Sequence, residues 1–398
     1  MNILIADDDA ASLAHLKTLV ESLGHRALCA EDGAEAWELY RNGDCNLIIL
    51  DWAMPGMDGL ELARRIRSAP ATTYTYVIIL SPPDQRERIN AGMAAGVDDF
   101  LAKPVTANDL FTRLAIANRI ISLQQIQDRQ MRELEVVSRR LKRDLQAAEQ
   151  VHRALLPSSV PNAPGMEFAW YLRSCDEVGG DTLNVFRLDE RHLCFYVLDV
   201  SGHGVASALL AVQVSRFLNP LLGPASLLKK LATTPVGYRL APPREVLADL
   251  NSLFPSQPQT MQFFTIAYGI YDLDAHRVVL ASAGHPGPLV LRASGAIQAP
   301  QVAGHPIGFF SSSEAAFNEL TLELSPGDRL MLYSDGATEA ADSDGRTYGA
   351  TRLGQALRDG GALPLTQSLE RVVGSLQDWR QGREMADDVS LLAIGRLV

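Results

Sequence analysis

Aspartates recur in this chain at places where a short apolar run stops. Asp7, Asp8 and Asp9 follow Ile3–Ile5, Asp51 closes the run Leu47–Leu50, Ser81 follows Val77–Leu80, and Lys103 precedes Pro104 after Asp99–Ala102. Further along, Asp181 stands in VGGDTLN, Asp199 in LDVSGHG, Asp335 in LYSDGATE, and Asp387 with Asp388 in MADDVSLLAI. Taken singly, an aspartate after a strand is commonly a helix cap or a turn residue. Carboxylates gathered in one place repel one another unless a cation lies between them, and hard oxygen ligands suit magnesium or manganese. In the first group, a carboxylate beside such an ion can accept a phosphoryl group, with a lysine and the metal neutralising the transferred oxygens. In the second group, glycine adjoins three of the sites and lets backbone approach an ion or phosphate closely. Two metals bridged by one aspartate can lower the pKa of a shared water, which then attacks a phosphate in line without a serine or cysteine nucleophile.

The elements that must position these residues follow from the apolar pattern. Residues 2–6, 47–50 and 77–80 suit strands buried on both faces, and stretches of helical period lie between them, such as Leu13, Leu16, Leu19, Val20 and Leu60, Leu62, Ala63, Ile66. Such alternation predicts a five-stranded parallel α/β sheet with helices on both sides, and in an open parallel sheet the carboxyl ends of the strands form the crevice where sites assemble. From Leu110 to Leu156 the pattern is helical, with no proline until Pro157. Ile116, Ile120, Leu123, Leu134, Val137 and Leu141 form a 4-3-4-3 seam with Gln127 and Gln130 in two seam positions, and Leu145 breaks the phase. A helix of that length cannot bury a face on itself, so the expectation is a parallel coiled coil joining two protomers.

The carboxyl-terminal half reads as strands joined mostly to strands: His192–Val200, Phe263–Tyr271, Val278–Ala281, Leu289–Leu291, Leu320–Leu324, Arg329–Tyr333 and Val389–Ile394. Helices are expected near Ala206–Phe217, Arg244–Leu253, Thr351–Leu357 and Thr366–Trp379. The fold expected is a layered α+β domain of antiparallel sheets with helices outside. Domain boundaries are placed at 1–120, 121–156 for the helical linker, and 157–398.

Two resemblances sharpen this reading. Through ILIADDD, LIILDWAMPGMDG, VIILS and DDFLAKP, residues 1–120 resemble the response-regulator receiver family. The resemblance implies Asp51 as phosphoacceptor, Asp8, Asp51 and the Ala53 carbonyl as Mg2+ ligands, and Asp7 assisting through water. It also implies Ser81 as the hydroxyl that senses the phosphoryl group, Phe100 as the aromatic switch partner, Lys103 as the cation, and a histidine kinase or phosphotransfer protein as upstream partner. Pro82 and Pro83 depart from the family's usual small residue after the hydroxyl. From EQVHRALLP to the end, with FFTIAYGIYD and SAGHPGPLVL, the chain resembles the metal-dependent protein phosphatases of the PP2C type, in the bacterial subgroup of the sporulation phosphatase SpoIIE and the RsbU-like stress phosphatases. This implies a PP2C-like sandwich flanked by helices, with Asp181, Asp199 and the Val200 carbonyl on a pair of Mn2+ or Mg2+ ions and Asp335 and Asp387 completing the second. It further implies a phosphorylated anti-sigma-factor antagonist as substrate. Thr182, Leu183 and Asn184 replace the aromatic and acidic residues that relatives often carry after this aspartate. His203 and His285 follow glycines in these motifs and are read as turn or core residues, and the segment 221–240, with Lys229 and Lys230, as a surface loop or flap. The same domain order occurs in noncatalytic adaptors that deliver a sigma factor to a protease; those lose the metal carboxylates, which are retained here.

Composition bounds the rest. The 398 residues fit two or three domains, and 47% hydrophobic with 21% charged residues is globular. A net charge of −11 opposes binding to a nucleic-acid backbone. The basic stretch Arg139, Arg140, Lys142, Arg143 reads as a solvated helix face. Cys29, Cys45, Cys175 and Cys194 form no CxxC pair, so neither disulfide nor zinc is expected. The sequence opens on a strand-like run with no charged leader before an apolar core, and no stretch reaches the roughly 20 apolar residues of a membrane span, so the expected compartment is the cytoplasm.

Overall fold

A computed structural model describes residues 1–43, 45–69, 74–81, 86–221, 223, 226–255 and 262–398, the side chains of 86–88 excepted. The chain divides into two compact units, Met1–Arg139 and Arg140–Val398. Pro82 and Pro83, and part of the segment 221–240, lie outside the described residues. Among the described residues no helix is long and apolar enough to cross a membrane.

The first unit alternates β1 (Asn2–Ala6), α1 (Ala10–Ser22), β2 (Arg26–Ala30), α2 (Gly33–Asn42), β3 (Leu47–Asp51), α3 (Gly59–Ser68), β4 (Tyr76–Ser81), α4 (Arg86–Ala94) and β5 (Asp99–Ala102), followed by α5 (Ala107–Arg153). The strands form one parallel sheet in the order β2-β1-β3-β4-β5. Successive residues of the apolar runs feed two separate cores: Ile3, Ile5, Ile49 and Leu80 face α1 and the start of α5, whereas Leu4, Leu50 and Ile79 face the other side with Leu62 and Ile66 of α3. Burial on both faces is why those strands read as unbroken apolar runs. The edge strand β2 carries a weaker signal, because only Ala30 of its five residues is fully buried. The chain reverses direction across the sheet between β1 and β3, which opens the crevice between their carboxyl ends.

Helix α5 runs for 47 residues, about 70 Å at 1.5 Å per residue. Its first turns bury Leu110, Leu114, Ala117 and Ile121 in the core of the parallel-sheet unit. Of the expected seam, Ile120 packs against that same core and Ile116 is 41% exposed, whereas Leu123, Leu134, Val137 and Leu141 are all more than half exposed.

The second unit is two five-stranded antiparallel sheets face to face. One sheet has the order β15 (Glu319–Glu323), β12 (Arg277–Ala283), β11 (Phe264–Asp272), β8 (His192–Val200), β7 (Thr182–Arg187); the other has β14 (Ile297–Gln298), β13 (Leu289–Leu291), β16 (Arg329–Tyr333), β17 (Val389–Arg396), β6 (Met166–Arg173). An apolar core fills the space between them, drawn from Phe195, Val197, Leu280, Leu332, Leu392 and their neighbours. Helices α6 (Val205–Phe217) and α7 (Pro243–Leu253) cover the outer face of the first sheet, and α9 (Gly349–Asp359) and α10 (Leu365–Arg380) that of the second. The short helix α8 (Asp335–Glu339) follows β16, and β9 (Lys229–Leu231) pairs with β10 (Tyr238–Leu240) as a hairpin. The pattern reading did not find β2, β6, β7, the hairpin, β14 or α8, which are edge strands or pieces too short to show a period. In place of a free flap, the described part of segment 221–240 has Lys230 ion-paired to Glu245 and Asp249 of α7, and Lys229 over the Tyr238 ring.

Candidate functional site

Strand parity in the second unit explains how the aspartates converge. In β8, Leu193, Phe195 and Val197 point between the sheets, so Asp199 occupies the next inward position. Leu183 and Val185 place Asp181 likewise, Leu330 and Leu332 place Ser334, and Leu392 and Ile394 place Ser390 and Asp388. Thr265 lies directly across from Asp199 in the β11–β8 register. At this end of the sandwich the inter-sheet core therefore changes from aliphatic to acidic and hydroxylic. Asp335 opens α8 and Asp387 precedes β17, and both carboxylates lie near enough to Asp199 to perturb it.

Burial and mutual repulsion set the electrostatics. Burial, followed by the neighbouring Asp335 and Asp387 carboxylates, pushes the Asp199 carboxyl up to about 7. Asp181 is 2% exposed and is driven well above the usual carboxylate range by burial and by Asp199 and Asp388. The hydroxyls of Ser334 and Ser390 lie nearby and oppose that shift, yet Asp181 Oδ2 makes no hydrogen bond. Asp387 is raised by burial and by the carboxylates of Asp335, Asp388 and Glu339. Among the described residues no lysine or arginine pairs with Asp181, Asp199, Asp335 or Asp387. A buried carboxylate with an orphaned oxygen, beside less buried carboxylates and without a counter-cation, is a donor set that fits divalent metal ions.

Asp388 has a different task. Buried beside this cluster, it accepts hydrogen bonds from Cys175 N at 2.8 Å and from Asp181 N at 3.2 Å, tying the segment between β6 and β7 to β17. Gly179 and Gly336 are glycine because a Cβ at either would overlap the Asp388 carboxylate or carbonyl. Gly180 in turn brings the Val200 carbonyl close to the backbone beside Asp181. The positioning role of Asp388 was legible only through the parity of Leu392 and Ile394, which turns it inward; an oxygen of Asp387 lies within 4.8 Å of the Asp388 carboxylate and Cys175 Sγ. Thr182 and Leu183 are buried within β7, and Asn184 Nδ2 donates to the Leu155 carbonyl just after α5.

Among the described residues, His203 and His285 make no hydrogen bond or ion pair with Asp181, Asp199, Asp335 or Asp387. His203 pairs with Asp176 at the surface. His285 is buried, its Nδ1 is 2.8 Å from Thr265 Oγ1, its backbone N–H donates to Ser282 Oγ, and burial lowers its pKa to about 3.

In the first unit, oxygens of Asp7, Asp8 and Asp51 lie within 4.8 Å of one another at the β1/β3 crevice. Lys103 Nζ bridges Asp7 Oδ2 at 2.8 Å and Asp51 Oδ1 at 2.5 Å. Burial works against the lysine charge, but hydrogen bonds to Asp51 and Asp7 outweigh it and raise the pKa. The Ala53 N–H donates to Asp51 Oδ2 at 3.2 Å, which fixes the turn that carries its carbonyl. Asp9 caps α1 by accepting from Ala11 N and Ser12 N and stays outside this group. Ser81 ends β4 beside Ala102 of β5, and Phe100 packs against Gly92 of α4, where a Cβ would collide with its ring. Three carboxylates with one lysine leave room in charge terms for a divalent cation.

Two families match the two halves of the chain. Residues 189–397 match Stage II sporulation protein E (SpoIIE), and residues 3–115 match the response regulator receiver domain. The chain belongs to the SpoIIE family and carries a receiver domain. The phosphoserine phosphatase RsbP of Bacillus subtilis is 25% identical over 257 residues, covering 64% of this chain and 58% of RsbP. This chain thus spans little more than half the length of that relative. Chemotaxis protein CheY-3 of Vibrio cholerae is 34% identical over 115 residues, covering 29% of this chain and 88% of CheY-3. The solved SiaA-PP2C domain of Pseudomonas aeruginosa superposes with a TM-score of 0.52 at 20% identity, covering 66% of this chain and 99% of that domain, which identifies the sandwich as a PP2C fold. The parallel sheet, the long helix and the PP2C-like sandwich thus agree with the fold expected from the sequence.

Proposed function

We propose that this protein is a response regulator whose phosphorylation at Asp51 controls a metal-dependent protein serine/threonine phosphatase. The observation that carries the catalytic half is the Asp181 carboxylate, 2% exposed with an unpartnered oxygen, amid Asp199, Asp335 and Asp387 and without a counter-cation. Clustered ionised carboxylates would cost several kcal/mol without ions between them, so a noncatalytic adaptor has no use for the arrangement. In this reading Asp181, Asp199, the Val200 carbonyl, Asp335 and Asp387 hold two Mn2+ or Mg2+ ions. Bound there, the metals supply an activated water and neutralise phosphoryl oxygens. Asp388 holds the Asp181 backbone in place, and the partly buried, inward position of Asp199 between the sheets reduces solvent screening of its charge.

In the receiver, residues 1–120, Asp7, Asp8, Asp51 and the Ala53 carbonyl are assigned to Mg2+. Lys103 is placed to neutralise a phosphoryl group on Asp51, and Ser81 and Phe100 to register it. A histidine kinase or phosphotransfer protein would be the donor. The linker, 121–156, carries the signal as a homodimeric coiled coil along Leu123, Leu134, Val137 and Leu141, supported by their exposure. The phosphatase domain, 157–398, acts in this reading on a phosphorylated anti-sigma-factor antagonist in the cytoplasm.

The test is Mn2+-dependent hydrolysis of p-nitrophenyl phosphate by the full chain and by Asp199→Asn. Turnover that requires the metal and drops at least a hundredfold in the variant is expected; metal-independent turnover, or equal turnover in both, refutes the assignment.

A further inference from the structure

The acidic cluster is bordered on one side by arginines that have no carboxylate of their own. Arg380 is the last residue of α10, and its Nε is buried without a hydrogen-bond partner, while one terminal nitrogen donates to the Arg383 carbonyl. Arg383 donates from Nη1 to the Asp342 carbonyl at 2.8 Å. Arg173, at the end of β6, lies close enough that its charge, after burial, helps depress the Arg380 pKa. Among the described residues none of these three arginines makes an ion pair. Elsewhere the same unit pairs its arginines readily: Arg191 with Asp272, Arg239 with Glu245, Arg292 with Asp328 and Arg346 with Asp342.

A cleft of about 210 Å³ joins the two kinds of charge, lined by Gly336, Glu339, Arg380, Arg383, Glu384 and Asp387. Asp387 belongs to the metal-fitting cluster, so the cleft starts at the reaction centre and leads away to the arginines. Glu339 and Glu384 also line it, and neither is ion-paired among the described residues; Glu339 acts instead on Asp387. A guanidinium beside a second cation and without a carboxylate partner gains from an anion that reaches its terminal nitrogens, against the opposing charge of the three carboxylates in the lining. The volume admits a carboxylate side chain and excludes a folded element.

We propose that this cleft is a specificity pocket in which Arg380 and Arg383 bind an acidic side chain adjoining the phosphoserine of the protein substrate. The inference rests on the phosphatase reading above and names the substrate class that it would select: phosphoserine flanked by glutamate or aspartate. Arginine suits the task because its planar fork meets a carboxylate at two points, and arginine clusters are a recurrent means of reading acidic motifs. Arg173 adds positive potential near Arg380.

The experiment compares two phosphoserine peptides that differ only in glutamate or alanine on both sides of the phosphoserine, using Mn2+-loaded full-length protein. The quantity read is the ratio of kcat/KM for the two peptides within each protein, which a general loss of folding or metal leaves unchanged. The wild type is expected to favour the glutamate peptide about tenfold, the magnitude of one charge-assisted hydrogen bond. Arg380→Gln/Arg383→Gln brings the ratio to about one, and Arg380→Glu/Arg383→Glu turns the preference toward a lysine-flanked peptide. A wild-type ratio near one, or a ratio that survives in the glutamine variant, overturns the pocket while p-nitrophenyl phosphate turnover still upholds the phosphatase. If p-nitrophenyl phosphate is not hydrolysed, the phosphatase reading fails, and fluorescence anisotropy of the two labelled peptides decides the pocket by the same ratio. Equal loss for both peptides in the glutamine variant means that the arginines hold the phosphoryl group or the fold, and also overturns it.

Discussion

Replacing Asp199 by asparagine should make the metal-free protein more stable, and the gain should grow with pH. The wild-type carboxyl is raised from 3.8 to about 7, chiefly by burial and then by Asp335 and Asp387. The sign follows from proton linkage: between those two values the folded chain keeps a proton that the unfolded chain has released, so stability falls as pH rises and the penalty is complete above the folded value. A rise of about three units makes the full penalty on the order of 4 kcal/mol at pH 8, and less than half of that at pH 5. The amide carries no charge and has no such dependence. Its advantage over the wild type should therefore increase by a few kcal/mol between pH 5 and pH 8, on the order of 10 °C in Tm for a unit of this size. Calorimetry in EDTA at the two pH values measures it, following the transition of the second unit. Added Mn2+ should invert the order, because the wild type gains binding free energy that the variant lacks. If the variant is less stable than the wild type by the same amount at both pH values, the carboxylate is a hydrogen-bonded structural group and the cation site argued from it is wrong.

Three further outcomes are expected. Gly179→Ala, which drives a Cβ onto Asp388 Oδ2, should cost about 1–3 kcal/mol and abolish the stabilisation by Mn2+, read as the loss of a metal-induced Tm shift. His285, held near 3 by burial, stays neutral in the folded chain while the unfolded chain protonates near 6.5; wild-type stability should decline as pH falls from 6.5 toward 3, and His285→Gln should flatten that slope in urea titrations. Leu134→Lys with Leu141→Lys, both on the exposed stripe of α5, should convert a dimer to a monomer by light scattering, and a wild type that is monomeric at micromolar concentration refutes the coiled coil.

The sequence alone determined the architecture of both halves, and for a physical reason. Strands buried on two faces must be apolar throughout, so β1, β3, β4 and β8 announce themselves, and a long helix without proline or glycine does the same for α5. The edge strands β2 and β6 escape that logic because their residues are only partly buried. The aspartates at strand ends were visible as candidates, since carboxylates repeated beside glycines have few uses. What only the tertiary structure decided was the division of labour among them. Asp9 caps a helix, Asp388 ties Asp181 to β17, and the charges of Asp335 and Asp387 act on Asp199, which in turn acts on Asp181. The unpaired state of Arg380 and Arg383 was equally hidden, because whether a charge has a partner depends on residues brought beside it from other elements. Hydrophobic periodicity is a local property of the chain, whereas the protonation and pairing of a buried group are set by the sum of its neighbours in space.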